Sequence, residues 1–264
     1  MQNANPHPHS TTHNTPPRFA RFAASSKPYH TAVGNHESEC HDAVCITEKK
    51  KYGLPLSNFT AYNARWHMPS AESGGRASMW YSYNYGPVHF LILNTETDFP
   101  GAGEEKTGDS GDKKMPAGGF GQAGELQAWV ASDLAAADAS RKAGGSRPWL
   151  VVAGHRTYDE VYGTFGSLFE QYGVDAYFAG HVHSYSRTPA NAQKGLVNWI
   201  VAGGAGCEEM GPPAASKLLG PKGVDSVENY NYATGILEAT KSALRWKLID
   251  SITGETLDQF ELAA

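Results

Sequence analysis

Two short apolar runs in this sequence each end in Gly-His. Trp149-Leu150-Val151-Val152-Ala153 leads into Gly154-His155-Arg156, and Ala176-Tyr177-Phe178-Ala179 leads into Gly180-His181-Val182-His183. Apolar runs this short, closed by glycine, have the length of buried strands rather than helices, and the glycine lets the chain turn sharply at the strand exit. Ligand-type side chains at the carboxyl ends of successive buried strands are where open α/β sheets build their sites. A third glycine-led run, Gly34-Asn35-His36-Glu37, adds an amide oxygen and another imidazole. In a His-x-His pair on an extended segment both rings point to one face, and two metal ions about 3.5–4 Å apart can each take one of them. Taken singly the runs have plainer readings: a turn for Gly-Asn-His, a satisfied strand-end histidine for Gly154-His155. Their shared setting favours a metal site.

Along the chain, residues 1–27 are dominated by His, Pro, Ser, Thr and Asn and read as a disordered tail, with His7, His9 and His13 solvated. A single folded domain is expected over 28–264. Val88 to Leu93 reads as a buried strand, and residues 100–121 as an exposed glycine- and charge-rich loop. Leu126, Trp129, Val130 and Leu134 recur at helical spacing after Gly121. That spacing predicts a helix from Gln122 to about Ala139 covering a sheet face. Strands follow at 149–153, 176–179 and Asn198–Ala202, with a helix near Phe165–Tyr172 and a loop at 211–229. Gly235–Thr240 and Leu244–Asp250 alternate as antiparallel strands joined by a short turn.

With 264 residues and 40% hydrophobic content the chain can bury a sizeable core. A net charge of −5 gives no reason to expect nucleic acid or an acidic membrane surface as partner. No apolar run approaches the roughly 18 residues of a spanning helix. The start, Met1-Gln2-Asn3-Ala4-Asn5-Pro6, has neither the basic residues nor the apolar stretch of a secretory signal. Cys40 and Cys45 could close a small disulfide or remain thiols, and Cys207 stands alone; a zinc site with His41 lacks a second cysteine pair. Asn58-Phe59-Thr60 is a glycosylation sequon, meaningful only in an exported chain.

Further runs accompany the glycine-led motifs: Arg65-Trp66-His67-Met68-Pro69, Met79-Trp80-Tyr81-Ser82-Tyr83 with Gly86-Pro87-Val88-His89-Phe90, Thr95-Glu96-Thr97-Asp98-Phe99, and Ala202-Gly203-Gly204-Ala205-Gly206 with Glu208. Together they resemble the purple acid phosphatase branch of the calcineurin-like metallophosphoesterases, fungal and microbial type, from about residue 28 to the carboxyl terminus. The resemblance implies an α/β fold, a four-layer α-β-β-α sandwich of two mixed sheets packed face to face and covered by helices. It implies acid phosphatase-type hydrolysis of small phosphate monoesters by in-line attack of a metal-bound hydroxide. Carried over residue by residue, it makes Asn35, His155 and His181 ligands of a divalent metal (zinc, manganese or ferrous iron). His183 becomes a ligand of the ferric ion, and His36 the acid for the leaving alkoxide. Proteins of this family are typically secreted or vacuolar.

The sequence also departs from that pattern. The family places Asp-x-Gly and Gly-Asp-x-x-Tyr ahead of the Asn-His motif, yet residues 1–33 hold no aspartate, and Tyr29 lacks the preceding Gly-Asp. Gly111-Asp112-Lys113-Lys114-Met115 has the wrong last residue and reads as a solvated turn. Tyr185-Ser186-Arg187 stands for the usual Tyr-Glu-Arg, and Phe165 where a histidine is often found. A bridged pair of six-coordinate ions calls for about seven protein ligands, of which Asn35, His155, His181 and His183 are recognisable. The expectation is an amino-terminally truncated copy of the fold. It would bind one zinc-like ion weakly, with His183 as candidate fourth ligand, and lack the ferric centre. Exposed strand edges and poor solubility would follow. A non-catalytic remnant or binding module of the same fold is the alternative function, and a phosphodiesterase or nucleotidase a weaker one.

Overall fold

The computed structural model describes residues 27–38, 44, 47–53, 55, 59–97, 124–190, 197–205, 211, 220 and 225–264. Readings made above for the tail before residue 27, the 100–121 loop, Asp112, Cys40, Cys45, Cys207, Glu208 and the Asn58 sequon lie outside these residues.

Among these described residues, seven strands form one mixed sheet in the order β1-β2-β3-β4-β6-β5-β7. They are β1 Tyr81–Tyr85, β2 Val88–Ile92, β3 Trp149–Ala153, β4 Ala176–Ala179, β5 Tyr185–Thr188, β6 Asn198–Ala202 and β7 Val227–Asn229. The centre is parallel: Ile92 lies beside Ala153, Ala153 beside Phe178, and Ala179 beside Val201. Strands β1, β5 and β7 are antiparallel to their neighbours. Parallel strands read as continuous apolar runs because both faces are covered, and alternation assigns each side chain its layer. Val152, Tyr177, Ala179, Trp199 and Val201 join Leu126, Val130 and Leu134 of a long helix. On the opposite face, Ala176 and Ile200 pack against Trp246 and Leu248, and Val151 against Leu244.

Those last residues belong to a second sheet of three antiparallel strands, β8 Ala233–Ala239, β9 Ala243–Asp250 and β10 Thr256–Ala263, in the order β10-β9-β8. Gly235 makes room for the Trp246 ring, with which a Cβ at that position would collide. The described residues thus supply the helical layer, the large mixed sheet and the facing sheet of the expected α/β sandwich. Among the described residues the second sheet is antiparallel throughout rather than mixed, and Thr234, Ile236, Glu238, Arg245 and Lys247 on its outer face are exposed.

The α-helices among the described residues include α1 Thr60–Arg65, α2 Ser70–Ser73, α3 Glu125–Lys142, α4 Tyr158–Val161 and α5 Ser167–Gln171, with a π-helical turn at Tyr162–Gly166 linking the last two. Helix α3 is displaced by a few residues from the predicted span. Gly124, in the left-handed region at φ 84, sets its start. Its last turn is held by Arg141, which donates to the carbonyls of Tyr172 and Gly173. The predicted Phe165–Tyr172 helix is the second half of the continuous Tyr158–Gln171 helical stretch. Strands β1, β5, β7 and β10 are absent from the sequence-based expectation. β5 reads Tyr-Ser-Arg-Thr, polar by composition yet buried throughout. No helix among the described residues is long and apolar enough to cross a membrane.

Two outcomes follow. Trp246→Ala empties the space between the sheets and should lower stability by about 3–5 kcal/mol in urea unfolding. Asp175, which accepts the Leu150 N–H at 2.8 Å, is pushed up to about 6 by burial, opposed by that N–H and by Arg141. Its folded-state value lies above the unfolded one, so folding takes up a proton, and stability should fall as pH rises from about 4 to above 6, by roughly 2–3 kcal/mol. Unfolding curves across that range should flatten in Asp175→Asn.

Candidate functional site

The site lies where the parallel strands end. Asn35 opens a 3-10 turn, Asn35–Ser38, whose Glu37 folds back: its Oε2 accepts the Gly34 N–H at 2.9 Å. Val33, Gly34 and Asn35 are buried, and His36 is exposed. His155 follows β3 and His181 follows β4. The two loops are stitched together by the Gly180 N–H, which donates to the His155 carbonyl at 3.0 Å, and by Gly154 N–H to the Phe178 carbonyl. His181 itself sits at φ +62, a left-handed conformation uncommon for a non-glycine. Such strain persists only where its surroundings hold it. Here the Val182 N–H donates to Gly180 and Ser184 N–H to Val182. Gly203 lies against the Val182 carbonyl so closely that a Cβ would collide with it.

Three of the expected ligands meet. The Asn35 amide oxygen lies 2.7 Å from His155 Nε2, and the His155 and His181 rings stand edge to face with centroids 5.1 Å apart. The His155 ring is cradled by two glycines: a Cβ on Gly34 would come within 2.9 Å of it, and one on Gly180 within 3.4 Å. His36 is the neighbour of Asn35 on its turn. His183, half-buried, lies on the His181 loop, where its carbonyl accepts the Gly211 N–H at 3.4 Å. Among the described residues no three His, Cys, Asp or Glu side chains gather as a metal-binding group; the third donor beside His155 and His181 is an amide. Two imidazoles and a carboxamide oxygen fit a zinc-like divalent ion. They do not fit a ferric ion, which calls for hard anionic oxygens.

Beneath these donors lies a charge network that no local sequence pattern marks. Arg156 and Glu96 form a buried ion pair, their side chains 5% and 0% exposed, with Nε to Oε1 at 2.8 Å and Nη2 to Oε2 at 2.7 Å. Arg156 Nη1 also donates to Glu160 at 3.0 Å and lies 3.4 Å from His181 Nε2. Thr95 Oγ1 accepts the N–H groups of both His155 and Arg156, and Tyr177 donates its hydroxyl to the Arg156 carbonyl. Burial pushes the Glu96 carboxyl up, while the Arg156 guanidinium pulls it down. Arg156 follows His155 in the chain, and Glu96 follows the β2 run. Nothing local reveals that they meet. Asn94 Nδ2, Ser184 Oγ and Ser186 Oγ are buried with no partner among the described residues, each at about 1–3 kcal/mol if left unsatisfied.

A family model described as calcineurin-like phosphoesterase matches residues 7–185. Acid phosphatase A of Cryphonectria parasitica is 32% identical, over 90% of this chain and 53% of its own length. An acid phosphatase of Aspergillus ficuum is 27% identical over 87% of this chain and 48% of its own. The chain thus spans about half the length of these relatives. The structure of a purple acid phosphatase from yellow lupin seeds superposes with a TM-score of 0.59 at 23% identity, covering 90% of this chain and 41% of that one. At that identity the likeness is one of fold.

Arg156→Ala strands Glu96 as an unpaired buried carboxyl and should destabilise the fold by about 3–5 kcal/mol. Replacing both partners by apolar residues, Arg156→Met with Glu96→Leu, should recover most of that loss in urea unfolding.

Proposed function

The chain belongs to the calcineurin-like phosphoesterase family, and from that premise we propose that it carries a divalent-metal site for acid phosphatase-type hydrolysis of small phosphate monoesters. The observation behind this reading is the meeting of Asn35 with His155 at 2.7 Å, beside the His181 ring, at the ends of parallel strands. Its relatives are acid phosphatases, and members of the family use binuclear centres of iron, zinc or manganese.

In this reading Asn35, His155 and His181 hold zinc, manganese or ferrous iron, with His183 as a further nitrogen. Such an ion supplies Lewis acidity toward the phosphoryl oxygens. His36, exposed beside Asn35, donates a proton to the leaving oxygen of the ester. The Arg156 guanidinium, paired with Glu96 and Glu160, helps fix the position of the His181 ring, 3.4 Å from its Nη1. Gly34 and Gly180 keep the space around the His155 ring clear.

One observation favours a non-catalytic binding module instead. The gathered donors are all neutral, and the carboxylates of the adjoining loops are engaged: Glu37 accepts the Gly34 N–H, and Glu96 is bound by Arg156.

The two readings separate on an aryl phosphate. Purified chain supplied with zinc or manganese should hydrolyse it, and His36→Ala should slow turnover by about 100-fold or more. His155→Ala should lose the ion in elemental analysis. One bound ion without turnover favours the binding module. Full activity in His36→Ala removes that residue as the acid, and two ions per chain or a visible tyrosinate band would overturn the single-ion arrangement.

A further inference from the structure

The strand that leaves the His181–His183 loop is clamped to the second sheet by another buried ion pair. β5 starts at Tyr185, directly after His183-Ser184. Tyr185 donates its hydroxyl to Asp258 Oδ2 at 2.6 Å, and itself accepts the Trp246 Nε1–H at 3.0 Å. Arg187 grips the same carboxylate through Nε at 2.6 Å and Nη2 at 2.9 Å, with its guanidinium 5.2 Å from the Phe260 ring centroid. The Arg187 and Asp258 side chains are 11% and 8% exposed.

Asp258 occupies an unusual place for an acid. It pairs with the buried Leu248, as Phe260 pairs with Trp246 and Leu262 with Leu244, so it stands on the core-facing side of β10. A register shift between Thr256 and Asp258 precedes it; bulges of this kind re-aim a side chain. A carboxylate on a core face is tolerated only when fully paired, and such pairs contribute more to a defined arrangement than to stability. What this one defines is the start of β5, and through it the loop that holds His181 at φ +62. The match to the family model ends at residue 185, so Arg187, Trp246 and Asp258 all lie beyond it.

We propose that Asp258 is a positioning residue for the His181–His183 loop, holding both histidines at the site by clamping β5 to the second sheet through Tyr185 and Arg187. The proposal rests on the metal reading above only in the affinity arm of its test.

The test compares wild type, Asp258→Asn and Leu244→Ala, the last a destabilising change in the same sheet but in the apolar cluster with Val88 and Trp149. In the metal-free chain, Asp258→Asn should speed amide hydrogen exchange over residues 181–188 by about tenfold or more, and Leu244→Ala should leave that segment within about twofold. Zinc titration should show affinity about 10–100-fold weaker in Asp258→Asn and unchanged in Leu244→Ala. Unchanged exchange at 181–188 in Asp258→Asn overturns the proposal, as does an equal effect from Leu244→Ala. If wild type binds no zinc, the metal reading fails while the exchange comparison still decides the clamp.

Discussion

The buried Arg156–Glu96 pair ties the exits of β2 and β3 together, and the candidate site is built on that tie. Strand ends are where backbone groups run out of ladder partners, and buried ones must be satisfied from side chains. Thr95 and Tyr177 do this for the His155-Arg156 segment, accepting its N–H groups and donating to its carbonyl. The guanidinium then reaches under His181 from the next loop. A buried pair of this kind returns little net stability, because desolvating both charges offsets their attraction. Its value lies in definition: a planar, bidentate contact admits one relative placement of the two loops.

Asp258 and Arg187 do the same work on the other side of the His181–His183 loop. One buried pair lies under the exits of the parallel strands, and one lies between the sheets. Between them the chain makes a tight turn that includes a histidine at positive φ and the contact of Gly203 with the Val182 carbonyl. The hydrophobic core accounts for the sandwich, since Trp199 and Tyr177 fill one side of the large sheet and Trp246 the other. It does not by itself aim imidazoles, because apolar packing is non-directional. The aiming comes from the polar pairs.

Much of this arrangement is legible in local sequence. The apolar runs at 149–153 and 176–179 are strands at those residues, and the glycines after them mark the turns that carry His155 and His181. The Leu126, Val130 and Leu134 stripe is the buried face of α3. Legibility fails where burial is conferred by a distant partner. Tyr185-Ser186-Arg187-Thr188 has no apolar alternation, and β5 is buried because Asp258 neutralises its arginine. β10 is hard to read for the reciprocal reason, since an acid stands at one of its core-facing positions and a bulge interrupts its period. Glu96 and Arg156 each look like surface charges in their own segments.

By itself the sequence determined the strand centre, the covering helix, the family and the candidate donors Asn35, His36, His155, His181 and His183, because hydrophobic period and glycine-led turns are short-range properties. Only the tertiary structure decided which donors meet: His155 lies 2.7 Å from the Asn35 amide oxygen and, ring centroid to ring centroid, 5.1 Å from His181, with His36 left exposed beside Asn35. It also decided that Arg156 answers Glu96 and Arg187 answers Asp258. Those choices depend on parallel strand order and on one sheet facing another. They are contacts between residues 60 and 71 positions apart, and no local pattern encodes which buried charge will find which partner.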